Sequence, residues 1–416
     1  MELKRVVVTG LGALTPVGLS VPDFWQNVLA GSNGVCAITR FNTENYKTKF
    51  ACELKNFDIN AYVDAKEARK LSGSAQYAIG AAQEAVRDAR LLDEGINPDR
   101  VGIVVGSGIG GAATTVNDLK DFSFDGGVPR FSPFFILKTL SNMIVGTLSI
   151  RYGFRGPSYV TTSACASAAN AMMDACHFIQ LGKADIMLTG GSEAAIEPVG
   201  IGGFNAMRAL STRNDDMFTA SRPFSVGRDG FVMGEGAGIL VLEELEHALR
   251  RNATIYAELL SVGQTSDAYH VTSPCPDGAG ASAAMHHALV DAGVQPEDID
   301  YVNMHGTSTP QGDLAECRAV ETIFGAHTSK MVFNSTKSMI GHMLGAGAAV
   351  ESIVTILSLK NGITHPTINL QERDPEIPDW NFCAHGPVKA PFRYALCNAF
   401  GFGGHNASIL FRKFEK

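Results

Sequence analysis

Ser158-Tyr159-Val160-Thr161-Thr162-Ser163-Ala164-Cys165 is a short β-branched run that ends in hydroxyl residues and opens into an Ala-rich helix closing at Leu181-Gly182. Met331-Val332-Phe333-Asn334-Ser335-Thr336-Lys337-Ser338 repeats the plan, leading into a second helix of small residues from Met339 to Leu359 that closes near Gly362. Strand, hydroxyl-rich turn, small-residue helix, twice in one chain, reads as an internal duplication. The small side chains let each helix lie close against neighbouring backbone. The polar stretch Leu249–Thr254 breaks the apolar pattern, so the halves are expected as 1–250 and 251–416.

Working outward, further apolar runs end in Gly, Ser or Thr and read as buried strands: Arg5–Thr9, Val101–Val105, Ile186–Thr189, Ile239–Leu242, Ile255–Leu259, Tyr301–Met304 and Ile409–Phe411. Helical patterns such as Ser74–Arg90 and Gly280–Ala292 lie between them, which predicts an α/β fold of layered sheets and helices. The net charge of −8 argues against non-specific nucleic-acid binding, which needs basic surface. No apolar run reaches the ~20 residues that span a bilayer. The chain passes from Met1-Glu2-Leu3-Lys4-Arg5 directly into an apolar run, so no targeting peptide is expected. Eight cysteines are scattered without C-x-x-C spacing, which predicts reduced thiols, a cytoplasmic setting and no zinc site.

Four segments have chemical content. In Thr161–Ala168, Cys165 falls at a helix start, where unpaired N–H groups favour a thiolate and can hold an oxyanion. The alternative is a buried structural cysteine. In His305-Gly306-Thr307-Ser308-Thr309-Pro310-Gln311-Gly312-Asp313, the histidine follows a strand, at the sheet edge where α/β folds bind ligands. Thr307 and Thr309 offer hydroxyls to a polar ligand arm. In Lys337–Gly347, Gly341, Gly345 and Gly347 clear space around His342, and Lys337 lies among apolar neighbours. A buried ammonium needs a counter-charge, and Glu351 is the nearest acidic candidate. In Asn398-Ala399-Phe400-Gly401-Phe402-Gly403-Gly404-His405-Asn406, three glycines and two aromatics suggest a loop that can move, with Phe402 as its gate, or a plain glycine-rich hairpin connection. Gly106-Ser107-Gly108-Ile109-Gly110-Gly111 satisfies G-x-G-x-x-G after a strand, but no strand with an acidic ribose partner follows. Asp118 to Arg130 reads as loop, so nicotinamide or flavin binding is not expected.

Taken together and in this order, these motifs resemble the β-ketoacyl-carrier-protein synthases of the thiolase superfamily, along essentially the whole chain. The resemblance implies a thiolase-like five-layered αβαβα fold of two similar halves with internal pseudo-symmetry, forming one compact unit that assembles as a homodimer. It implies Cys165 as nucleophile, His305 and His342 as a histidine pair, and Lys337 beside them. Phe402 would be the gate, and the N–H groups of Cys165 and Phe402 the oxyanion hole. Cys, His and His favour chain elongation: initiating synthases of similar layout carry Asn at the place of His342, and thiolases use one His and a second Cys. Asp313 and Glu351 would be structural.

The same resemblance implies decarboxylative condensation of a Cys165-bound acyl group with malonyl-acyl-carrier protein in fatty acid elongation, without metal or redox cofactor. A polyketide-type ketosynthase with a specialised acyl donor is the alternative. Thr307 and Thr309 would meet the pantetheine arm, and Ile109, Phe204 and Phe400 the acyl chain. Some relatives build a monovalent cation site near Asn303, Glu351 and Asn398; Cys397 stands here where Ser is often seen. The basic cluster Lys66, Arg69 and Lys70, with Arg208, is the expected docking surface for an acidic carrier protein.

Overall fold

The apolar runs become the strands of one mixed ten-stranded sheet in the computed structural model, which describes residues 3–120 and 131–415. In chain order these are β1 (Val6–Leu14), β2 (Val101–Gly106), β3 (Ser158–Thr161), β4 (Ile186–Glu193), β5 (Gly236–Glu244), β6 (Ala257–Ser266), β7 (Tyr301–Asn303), β8 (Val332–Asn334), β9 (Tyr394–Gly401) and β10 (His405–Lys413). Their spatial order is β8-β7-β9-β10-β6-β1-β5-β4-β2-β3. The first five strands in the chain therefore lie in the order 1-5-4-2-3, and the last five in the order 6-10-9-7-8, the same permutation displaced by five. Directions repeat as well. β1–β5 and β5–β4 are antiparallel, β4–β2 and β2–β3 parallel, and the second half copies this set. In the sheet, the two five-strand units meet where Val6, Val7 and Val8 pair antiparallel with Leu259, Glu258 and Ala257.

The main helices obey the same displacement: α1 (Gly73–Asp88), α2 (Met143–Tyr152) and α3 (Ser167–Gln180) in the first half, α4 (Ala279–Ala292), α5 (Pro310–Phe324) and α6 (Gly347–Asn361) in the second. α1 covers the outer face of β1, β5 and β4, and α4 the outer face of β6 and β10. α3 and α6 touch each other and strands of both halves, so they form the central layer between the two five-strand units. The result is the αβαβα stack. Strands buried on both faces explain why the runs read as continuous apolar segments rather than alternating ones. Gly106 ends β2 directly against the start of α3; a Cβ there would lie 2.3 Å from the Ser167 carbonyl carbon.

Three sequence expectations need correction. The helix expected from Met339 to Leu359 is two pieces. One turn covers Lys337–Ile340, Gly341 adopts φ +67°, and only after the turn Leu344–Ala346 does α6 begin. Between the pieces His342 pairs like a strand residue: its N–H donates to Val232 O (2.7 Å), and its carbonyl accepts from Gly234 N (2.9 Å). Asn398–Asn406 is a hairpin and not a free loop. Asn398 to Gly401 finish β9, and only Phe402-Gly403-Gly404 form the turn. Asp118 ends a helix, Ala112–Lys120, rather than opening a loop; residues 121–130 lie outside the described residues.

Replacing Gly106 with Ala is expected to destabilise the fold by about 1–3 kcal/mol, because the methyl must displace α3 backbone. Urea denaturation of the G106A variant checks this; unchanged stability would mean that α3 does not lie where described.

Candidate active site

Each central helix is entered through a left-handed residue and one 3-10 turn. Ala164 (φ +50°) precedes α3, and Leu344 (φ +47°) precedes α6. The first turn carries Cys165, the second follows His342, and the two meet across the halves: Cys165 Sγ lies 3.0 Å from His342 Nε2. The break at Gly341 makes this contact, since a continuous helix would not hold His342 against the 232–234 strand segment.

His305 arrives from the C-terminal end of β7. Its N–H and that of Gly306 both donate to the Glu316 carboxylate, 2.8 Å each, and Asn398 Nδ2 donates to the same group (3.1 Å). The His305 and His342 rings stand 5.2 Å apart at 86°. Phe231 packs edge-on against His342 (5.1 Å), Phe204 against Phe231 (5.4 Å), and Phe402 lies near Phe204 (6.3 Å). Phe400 flanks His305 at 5.7 Å. Six rings thus surround the sulfur, starting and ending on the β9–β10 hairpin. They border a cavity of about 690 Å³ that also takes in Thr307, Thr309 and Ile109.

Burial governs the electrostatics. It pushes the Cys165 thiol up from its ordinary 9.0 to about 12, against the Lys337 ammonium and the N–H groups of Phe402 and Cys165 itself, which pull it down. Desolvation is the largest of these effects and outweighs the Lys337 charge and the N–H groups together. The expected acidic thiol is therefore corrected: desolvation wins. Burial, then the Lys337 charge, holds both imidazoles well below their usual value, His342 adding to the effect on His305. The resting trio is a thiol and two neutral rings.

Lys337 is 1% exposed, and its Nζ is 2.5 Å from Glu351 Oε1, also buried. Asp313 accepts from the N–H groups of Phe224 (2.9 Å) and Ser308 (3.1 Å) and lies 3.3 Å from Arg228 Nε, bracing the His305 loop. The glycine-motif loop is also spoken for: the N–H groups of Gly108 and Ile109, which a phosphate would need, donate to Glu193 (2.7 and 3.2 Å). Asn303 Oδ1 and Glu351 Oε2 are buried without hydrogen-bond partners, as a cation site would require. Asn398 Oδ1 is already taken by Ser408 (2.8 Å). Among the described residues, no group of three His, Cys, Asp or Glu side chains could hold a metal. Arg208 is exposed at the cavity mouth, whereas Lys66 and Lys70 border a different depression and Arg69 is exposed beside them. Sequence reasoning missed Glu316, Phe231 and Glu193. The carboxylates had a signal, each being an acidic residue inside an apolar or glycine-rich run.

A nucleophile-sized thiol facing two neutral imidazoles, on a duplicated α/β fold, defines an acyl-transfer site of the condensing class. The comparisons agree. Residues 3–248 match the family "Beta-ketoacyl synthase, N-terminal domain", and residues 256–371 match "Beta-ketoacyl synthase, C-terminal domain". The 3-oxoacyl-[acyl-carrier-protein] synthase 2 of Staphylococcus aureus (strain N315) is 49% identical over 412 residues, 99% of each chain. The enzyme of the same name from Synechocystis sp. is 45% identical over 415 residues, 100% of this chain and 99% of the other. Among solved structures, a type II PKS ketosynthase in complex with its acyl-carrier protein superposes with a TM-score of 0.91 at 33% identity, each chain covered 100%. A β-ketoacyl synthase from Burkholderia phymatum STM815 gives 0.90 at 34%, covering 99% of this chain and 100% of the other. The chain belongs to the β-ketoacyl synthase family.

Lys337→Met leaves the Glu351 carboxyl buried without its cation. Stability should fall by about 3–5 kcal/mol, and Lys337→Met with Glu351→Leu should recover most of the loss. Guanidinium denaturation of both variants checks this; a single variant as stable as the parent would contradict the pairing.

Proposed function

We propose that the protein is a 3-oxoacyl-carrier-protein synthase that extends a Cys165-bound acyl chain by two carbons from malonyl-carrier protein in fatty acid elongation. The observation that carries this is the 3.0 Å contact between Cys165 Sγ and His342 Nε2 with the His305 ring 5.2 Å from that of His342. In the first step the thiol proton passes to His342 Nε2 as the sulfur attacks the donor thioester carbonyl. The N–H groups of Cys165 and Phe402, both acting on the sulfur's surroundings, receive the oxyanion. Collapse expels the pantetheine thiolate, which takes the proton, and the acyl group stays on Cys165.

Malonyl-carrier protein then threads its pantetheine past Thr307 and Thr309. His305 and His342, each now in the tautomer that carries the proton on the nitrogen facing the substrate, donate hydrogen bonds to the malonyl thioester carbonyl. The bond to the carboxylate breaks, CO2 leaves, and its electron pair becomes an enolate that the two rings stabilise. The enolate carbon attacks the acyl carbonyl, the C–S bond to Cys165 breaks, and the released thiolate takes one proton from solvent, replacing the one that left with the first pantetheine thiol. Decarboxylation makes the carbanion, so no carboxylate base is needed. Phe402 gates the cavity, and Ile109, Phe204 and Phe400 receive the acyl chain. Asn303 and Glu351 would hold a monovalent cation, which would balance the second Glu351 oxygen.

The carrier protein is the macromolecular partner, met at Arg208 and, through Lys66, Arg69 and Lys70, on a second face. A homodimer is favoured by an asymmetry between the halves. The outer strand β8 is buried and bridged by Asn381, whereas its counterpart β3 lies open, with Tyr159 exposed and Ile136, Leu140 and Ile150 among the exposed apolar residues. We read 1–250 and 251–416 as the two halves of one unit, working in the cytoplasm. No helix among the described residues is long and apolar enough to cross a membrane. A polyketide-type ketosynthase is less well supported: the type II PKS ketosynthase is 33% identical, against 49% for the 3-oxoacyl-[acyl-carrier-protein] synthase 2 of Staphylococcus aureus.

Mass spectrometry after exposure to acyl-carrier proteins should find one acyl group, on Cys165. Cys165→Ala should abolish condensation yet keep measurable malonyl decarboxylation. Full condensation by that variant would remove Cys165 from the reaction. Acylation should hold level as pH falls through about 6.5, the ordinary imidazole value, because His342 stays neutral below it. A rate that halves near that pH would contradict the depressed imidazole.

A further inference from the structure

Glu193 is fully buried at the end of β4, and no step of the chemistry above uses it. Its Oε2 accepts from Gly108 N (2.7 Å) and Gly345 N (3.1 Å), and its Oε1 accepts from Ile109 N and Ser107 Oγ, each 3.2 Å. These donors come from both halves of the chain. Gly108 and Ile109 follow β2; Gly345 sits in the turn before α6. Main-chain N–H groups and one hydroxyl thus ligate the carboxyl group, which sits as the acceptor in a backbone nest.

The duplication says what that nest corresponds to. Gly345 follows the left-handed Leu344 as Cys165 follows the left-handed Ala164. β4 and β9 are both eight residues long, and each ends against the other half's turn: Glu193 at Gly345, Gly401 at Cys165. A Cβ on Gly401 would lie 3.0 Å from Cys165 N, where the reaction needs open space. At the pseudo-symmetric place the side chain is present, and its oxygen sits where a substrate oxyanion would sit on the other side.

The two turns that Glu193 joins each present a side chain to the cavity. Ile109 and Leu344 both line it and pack with Cys165 and Phe204 in one apolar cluster. We propose that Glu193 is a positioning residue for the acyl chain: by tying the Ile109 and Leu344 turns together from behind, it sets how long a chain the site accepts. This rests on the condensing-enzyme reading above. Without the cross-link the two walls separate, and longer donors gain relative to shorter ones.

The test uses the full-length enzyme and acyl-carrier proteins of graded chain length, reading kcat/KM for acylation of Cys165. Acylation of the parent protein tests the enzyme reading itself; the ratio of long to short donors tests this inference. Glu193→Gln puts an NH2 among N–H donors and should raise that ratio by about tenfold or more, the lower end of what one methylene carries in a hydrophobic pocket. In an Ile109→Ala background the same substitution should change the ratio much less, since the wall it positions is gone. Should the Glu193→Gln protein fail to fold, Ser107→Ala, which removes one donor, should shift the ratio in the same direction. A parallel loss for all donors, or an unchanged ratio in whichever variant folds, would overturn the proposal.

Discussion

A sulfur and an imidazole nitrogen 3.0 Å apart, brought from opposite halves of the chain, are what the rest of the molecule is arranged to hold. Neither half places both groups. β3 and the turn at Ala164 deliver the thiol, and the strand-like pairing of His342 with Val232 and Gly234 delivers the ring. The halves themselves join through three residue pairs between β1 and β6 and through the contact of α3 with α6. Glycines at these boundaries are the consequence: a side chain at Gly106 would strike the start of α3, and one at Gly345 the Ser107–Gly108 backbone of the other half.

Burial gives that contact its chemistry. In water a cysteine beside a histidine could form an ion pair, but here both groups have lost their solvent, and the neutral pair is favoured. The Lys337 ammonium opposes a second positive charge on either ring while drawing the thiol down, and Glu351 keeps that ammonium in place. A neutral ring can accept the thiol proton in one step and donate a hydrogen bond to an enolate oxygen in the next. The site therefore needs no change of net charge before substrate binds. In the proposed reaction, water exclusion would also protect the enolate from being quenched by a proton before it attacks.

Much of this was legible in the sequence where the signal was local. The strands β2, β4 and β7 were readable because strands buried on both faces are continuous apolar runs. Cys165, His305, His342 and Lys337 stood out because each sits with glycines or hydroxyl residues at a strand or helix boundary. What failed was non-local. The helix expected from Met339 ran through Gly341 because its small residues suit a helix, and only the distant Val232–Gly234 segment pulls His342 out of it. The glycine run after β2 matches a dinucleotide motif but lacks an acidic ribose partner; the group its N–H groups do hold, Glu193, lies some eighty residues further along the chain. The thiol's pKa was misjudged for the same reason: the helix start is visible in the sequence, whereas the packing that desolvates it is assembled from both halves.

The protonation state of Cys165 is the most direct test. Thiolate absorbance in the ultraviolet, recorded against pH for the parent protein and for Cys165→Ser, isolates the signal of this one sulfur. The difference should show no thiolate from about pH 6 to about pH 9, beyond the range in which an ordinary cysteine ionises. A thiolate already present near pH 7 would contradict the neutral pair and, with it, the account of how the site works.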